Sequence, residues 1–179
     1  WESSSLGQVW RRLKADCHPP EGLQIIAAAD HCPHAAYIGD CPGIDPGSVI
    51  AFSAEQVALG TDKPLKEILQ GVYRYIHKFR RFEPSEMHGA TLYRREGPAL
   101  TEHEWLLFRE AALWHGVAVI SPVKNGNDVW FKMAGHTTTE LVRAFIQGKG
   151  LDEEPLERVY GDPHRGYAGG LKVNRAVTT

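Results

Sequence analysis

What this chain lacks narrows it first. No apolar run in its 179 residues approaches the roughly 18 that a membrane-spanning helix needs, so no span is expected. No basic segment leads into an apolar core and a small-residue cleavage site, so no secretory signal is read. Cysteine is scarce: Cys17, Cys32 and Cys41 are odd in number and loosely spaced, which argues against a disulfide framework and for a reducing compartment. A cytoplasmic location is the default expectation. An excess of positive charge is also missing. Twenty Lys and Arg against 22 Asp and Glu leave a net charge of -2, so tight non-specific binding to duplex nucleic acid is not expected and any basic groove would be local. There is no internal repeat and no low-complexity tract. No Gly-x-Ser-x-Gly elbow, Walker loop, His-Glu-x-x-His or dinucleotide fingerprint occurs. The first residue is Trp1 rather than Met, which creates the expectation of a processed segment or a whole domain upstream.

What is present is ordinary for a globular protein, with 42% hydrophobic and 23% charged residues, enough for one large domain or two small ones. Leu6, Val9, Trp10 and Leu13 fall on one face of a short helix over Ser5–Ala15. Leu23–Ala29 is a buried apolar run, strand or helix by periodicity, with the alanines favouring helix. Asp45 followed by Pro46 starts a helix that runs to about Leu59 and ends at Gly60. Thr61 or Asp62 caps the next helix, whose buried face is Leu65, Ile68, Leu69, Val72, Ile76 and Phe79. Arg74, Lys78, Arg80 and Arg81 suit its C-terminal end. Glu83–Pro98 is a boundary segment holding one strand, Ala90–Arg94. Thr101 and Glu104 form a capping box on a helix that ends at Gly116. Val117–Val123 and Val129–Met133 read as strands joined by a hairpin at Asn125-Gly126. A capped helix begins at Thr137–Glu140 with Leu141, Val142, Phe145 and Ile146 inward. A glycine-rich loop, Gly161–Gly170, and a last strand, Leu171–Val177, follow. The fold class is α/β, with α+β as the alternative: a helical N-terminal segment, then a small sheet containing a β-hairpin, with helices packed on one face.

Three groups of residues carry candidate chemistry. Asp30-His31-Cys32-Pro33-His34, with Asp40 and Cys41 nearby, are metal ligands by type, but their spacing matches no standard zinc pattern. Asp30 is singled out because an acidic residue at the edge of a buried element must be paired, hydrogen-bonded or metal-bound. In the loop Gly161–Gly170, glycines let backbone amides approach a ligand, Arg165 and His164 add donors, and Tyr167 can stack on a base or pack. The alternative is a surface loop that uses glycine only for turning. The basic, aromatic run Tyr73–Phe82 can line a groove for single-stranded nucleic acid, but such a run is more often an amphipathic helix with Ile76 and Phe79 buried. His88, His103, His115 and His136 are read as structural.

A hairpin, a helix and then a Gly-x-x-His-x-x-x-Ala-Gly-Gly segment resemble the C-terminal substrate domain of the DHH-family phosphoesterases. That family carries a Gly-Gly-Gly-His-x-x-Ala-Ala-Gly loop; Gly161, His164, Ala168 and Gly169 fall on matching positions, Asp162 and Pro163 stand for two glycines, and Tyr167 stands for the first alanine. Ile25–Asp30 resembles the family's late metal-binding aspartate after an alanine-rich segment, and Asp62–Arg81 its linker helix. The resemblance implies a late part of a catalytic domain over residues 1–60, a linker helix over 61–82 and a small substrate-binding domain over 83–179. It implies metal-dependent phosphodiester hydrolysis, or the substrate-phosphate-binding portion of such an enzyme, acting on nucleotides or short single-stranded oligonucleotides. A pair of divalent ions, manganese by expectation, would take Asp30 as one ligand. His164 and Arg165 would hold the phosphate and stabilise the transition state, and the Gly161, Gly169 and Gly170 region would supply amides. The remaining ligands would come from an upstream domain or companion chain. The alternative is a non-catalytic binding module with a structural zinc on His31, Cys32, His34 and Cys41.

Overall fold

The structure is a computed structural model that describes residues 8, 9, 12, 21–79, 83–148 and 156–172. The chain forms two compact units, Trp1–Gly71 and Val72–Thr179. Among the described residues no helix is long and apolar enough to cross a membrane.

The first unit is helical, with α1 (Glu21–His31), α2 (Pro33–Tyr37), α3 (Pro46–Thr61) and the first part of α4 (Leu65–Phe79). The apolar run at 23–29 is helix, as its alanines favour. It is not buried throughout, however: Ala27 and Ala28 are buried while Ile26 is exposed. A helix turns each residue about 100° from the last, so a continuous apolar run cannot all face one way. The helix expected over Ser5–Ala15 lies mostly outside the described residues; of its apolar face only Val9 is described, and it is exposed. At the start of α3 the Asp45 carboxylate accepts from the Ser48 amide at 2.8 Å and hydroxyl at 3.0 Å, and Pro46 occupies the first turn, where its missing N–H costs nothing. This helix continues through Gly60. Its terminator is Asp62, which at φ 55° takes the left-handed cap instead of capping α4.

In α4 the spacing of Ile68, Val72, Ile76 and Phe79 puts all four on the buried side, whereas Leu65 is exposed. Arg74, His77 and Lys78 are solvated. The run from Tyr73 is therefore an amphipathic helix as far as Phe79; Arg80, Arg81 and Phe82 lie outside the described residues.

The second unit is built on a six-stranded sheet in the order β1-β2-β3-β4-β6-β5. The strands are β1 (Ser85–Met87), β2 (Ala90–Arg94), β3 (Ala118–Asn125), β4 (Asp128–Gly135), β5 (Leu156–Asp162) and β6 (Tyr167–Lys172). Only β2 and β3 are parallel, joined through α5 (Glu102–His115); the other pairs are antiparallel. The turn of the β3–β4 hairpin is Gly126-Asn127, one residue beyond the expected pair, with glycine at the position of positive φ, 62°.

Helices cover both faces of this sheet rather than one. On one face Leu92, Ala118, Ile120, Met133 and Ala168 pack against Leu141, Val142 and Phe145 of α6 (Thr139–Ile146). Strand alternation sends Tyr93, Val119, Ser121 and Val123 to the other face. There Phe79 meets Tyr93 edge-on at 5.3 Å and stacks on Phe108 of α5 at 4.9 Å. The His115 ring lies 5.4 Å from Phe79, and its Nε2 is 2.8 Å from the Ile76 carbonyl, which gives this histidine a structural place.

Candidate functional site

The segment expected to be a glycine-rich loop followed by a strand is itself a β-hairpin. β5 runs to Asp162, residues 163–166 turn, and β6 already begins at Tyr167. Residues 173–177 of the expected last strand lie outside the described residues. The glycines misled because they serve close approach within a sheet rather than turning. A Cβ on Gly169 would meet the Tyr160 ring at 2.6 Å from Cζ, and one on Gly170 would meet Leu156 Cβ at 2.9 Å. Two large side chains of the edge strand therefore lie across β6 where β6 has none.

Asp162 organises the turn. Its Oδ1 accepts from the His164 amide at 2.9 Å and the Arg165 amide at 3.3 Å, and its carbonyl accepts from the amides of Arg165 at 3.2 Å and Gly166 at 2.9 Å. Gly166 has φ 71°, and the Thr137 hydroxyl that would meet its Cβ at 2.7 Å donates to its carbonyl at 2.9 Å. The turn is thus clamped to the residues that open α6, with its amides already occupied by a carboxylate and a carbonyl. Gly169 has a ladder partner on each side, Lys132 and Tyr160; Gly170 pairs with Phe131, and Gly161 with Ala168. These glycines build the ladder, and the groups the turn presents outward are the exposed side chains of His164 and Arg165.

Register shows which side chains share the surface beside that turn. Lys132, Gly169 and Tyr160 are directly opposite one another, so they lie on one face, and alternation adds Trp130, Tyr167 and Leu171. A bulge makes this possible. Glu157 pairs with Leu171 and Tyr160 with Gly169, so the shift between them returns Tyr160 to the face it would otherwise leave. Arg158, inside the bulge, sits at φ 48°, a conformation that costs a non-glycine residue about 1 kcal/mol. The outcome is a row of three rings: Trp130 and Tyr160 at 5.9 Å, and Tyr160 and Tyr167 at 6.5 Å. Tyr160 and Tyr167 are 42% and 38% exposed. Burial against the row, with the Glu102 carboxylate and Tyr167 behind it, raises the Tyr160 phenol, which stays neutral at physiological pH. Lys132 is paired to Glu102 at 2.6 and 2.8 Å, so it frames the row without adding a free cation. Trp130 and Tyr160 were missed in the sequence because their proximity depends on pairing β4 with β6; the one local signal was Tyr160 immediately before Gly161.

The other candidates are placed differently. Asp30 lies on α1 and is exposed, so it does not sit at the edge of a buried element as the apolar run before it implied. His31 is exposed at the end of α1, and His34 is in α2. From the proposed zinc set the structure brings together Cys32 and Cys41, with sulfurs 3.3 Å apart; among the described residues no three His, Cys, Asp or Glu side chains are arranged to hold a metal ion.

In comparisons with family models, curated proteins and solved structures, nothing matches the chain. The resemblance to the DHH-family substrate domain therefore rests on the residues quoted for it.

Proposed function

We propose that the β5–β6 hairpin binds a phosphate-bearing nucleotide or a short single-stranded nucleic acid. The observation that carries this reading is the row Trp130–Tyr160–Tyr167 on a sheet face, with its two exposed rings on the strands that flank the turn bearing the exposed His164 and Arg165. Bases stack on aromatic rings whatever their sequence, each contributing about 1–3 kcal/mol. Arg165 can hold two oxygens of one phosphate, and His164 can donate to a third. The face suits single strands because stacked bases in a duplex do not offer their planes to a protein surface. This is the substrate-phosphate-binding half of what the family resemblance implies. Asp162 occupies the turn amides, so the phosphate contact falls to side chains rather than to the glycine backbone.

The reading is one of binding, because the groups that carry it are two exposed rings and the exposed His164 and Arg165. The test is fluorescence anisotropy of a labelled single-stranded octanucleotide. Each of Tyr160→Ala and Tyr167→Ala should weaken binding about 5- to 150-fold, whereas Tyr160→Phe should retain most of it. Arg165→Ala should lower the salt dependence of log K by about 0.7, the contribution of one phosphate contact on a single strand. Binding that survives loss of both tyrosines in a folded protein would contradict the proposal, as would an unchanged salt dependence in Arg165→Ala.

A further inference from the structure

The first unit contains two thiols in contact. Cys32 Sγ and Cys41 Sγ are 3.3 Å apart, and both residues are partly exposed. The backbone holds them there. The Cys32 amide donates to the Ala28 carbonyl at 3.0 Å, tying it to α1, and its carbonyl accepts from Ala36 at 3.0 Å, which begins α2. Beyond α2 the chain reverses at Gly39, φ 84°, and the Asp40 amide reaches back to the Ala35 carbonyl at 2.8 Å. Cys41 follows this anchored turn, so the two sulfurs meet without long flexible arms.

We infer that Cys32 and Cys41 are a modification site, a thiol pair that a small-molecule disulfide such as oxidised glutathione converts to an intramolecular disulfide. A bond of about 2.05 Å requires the sulfurs to close little more than an ångström, a movement within reach of side-chain rotation. The same geometry leaves a zinc ion short of ligands: the two sulfurs are in contact, but among the described residues no third His, Cys, Asp or Glu joins them.

The exchange takes two steps. The Cys41 thiol is pushed up to about 11 by burial and by Cys32 beside it, so it is a thiol at neutral pH while the two sulfurs are in contact. The Cys32 thiolate attacks one sulfur of oxidised glutathione, forms a mixed disulfide and expels one glutathione thiolate. Cys32 then no longer disfavours the Cys41 thiolate. Cys41 loses its proton, attacks the Cys32 sulfur and expels the second glutathione thiolate. The protein loses two protons and two electrons, and the oxidant leaves as two molecules of glutathione.

The full reduced chain, incubated with oxidised glutathione at neutral pH, tests this by thiol titration and peptide mass mapping. The thiol count should fall from three to one, with Cys32 joined to Cys41 and Cys17 free. Cys41→Ser should stop at a mixed disulfide on Cys32, and Cys32→Ser at a mixed disulfide on Cys41. Three thiols surviving in the native protein while the denatured chain reacts in full would overturn the inference. So would a disulfide involving Cys17, or one equivalent of zinc bound with both thiols protected. The wild-type mapping decides the matter even where a variant fails to fold.

Discussion

Gly169 carries a close approach on which the aromatic row depends. With no Cβ, it lets the Tyr160 ring lie across β6 and reach toward both Trp130 and Tyr167. Gly169→Ala should push that ring aside and cost about 1–3 kcal/mol, the usual range for overpacking, measured by urea unfolding. In a Tyr160→Ala background the same change should cost little, because the obstruction is gone; an equal cost in both backgrounds would contradict the packing described. This role was not legible in the sequence. A glycine that turns the chain and a glycine that admits a neighbouring ring are the same letter, and only cross-strand register separates them. His164 and Arg165, by contrast, were legible as outward donors, since a polar turn exposes them in either arrangement. The placement of Asp30 is not legible, because an apolar run implies burial up to its end whereas the helix leaves Asp30 in solvent.

Elements marked by local chemistry were readable at their ends. Thr101 and Glu104 satisfy one another at the start of α5: the Glu104 amide donates to Thr101 Oγ1 at 3.2 Å, and the Thr101 amide donates to Glu104 Oε2 at 2.9 Å. Thr101→Ala should cost about 1 kcal/mol in denaturant unfolding. Bonding from the Thr101 amide holds the Glu104 carboxyl below its ordinary value of 4.5, outweighing partial burial, so folding favours the ionised form. The sign follows directly. This contribution is full well above pH 4.5, declines as the pH falls through that value and is lost below the depressed folded-state value. Glu104→Gln should therefore flatten that part of the acid limb in a stability-against-pH series; an unchanged limb would remove the box as its cause. Elements without such signals were missed. β1 spans only Ser85–Met87 and exists by pairing with β2, and β5 breaks its own alternation at the bulge between Glu157 and Tyr160.

At the scale of the whole molecule, the sheet of the second unit joins segments far apart in sequence. The α/β class followed from alternating helical and strand-like patterns, but the order β1-β2-β3-β4-β6-β5 did not, because the β4–β6 pairing spans α6 and β5. The covering of both sheet faces was hidden for the same reason: which face α5 takes depends on the crossover between β2 and β3. Amides in β2, β3, β4 and β6, each flanked by two strands, should exchange with solvent most slowly in the second unit, and those of the edge strands β1 and β5 faster, when followed by hydrogen exchange. The same pairing assembles the proposed binding face, which can be examined residue by residue. Titration of the isotopically labelled chain with a short single-stranded oligonucleotide, followed by nuclear magnetic resonance, is the most direct measurement. The account predicts saturable shifts at the Trp130 indole, Tyr160, Tyr167 and the Arg165 side chain, with the fold unchanged; shifts confined to the basic face of α4 around Arg74 and Lys78, or no shifts, would contradict it.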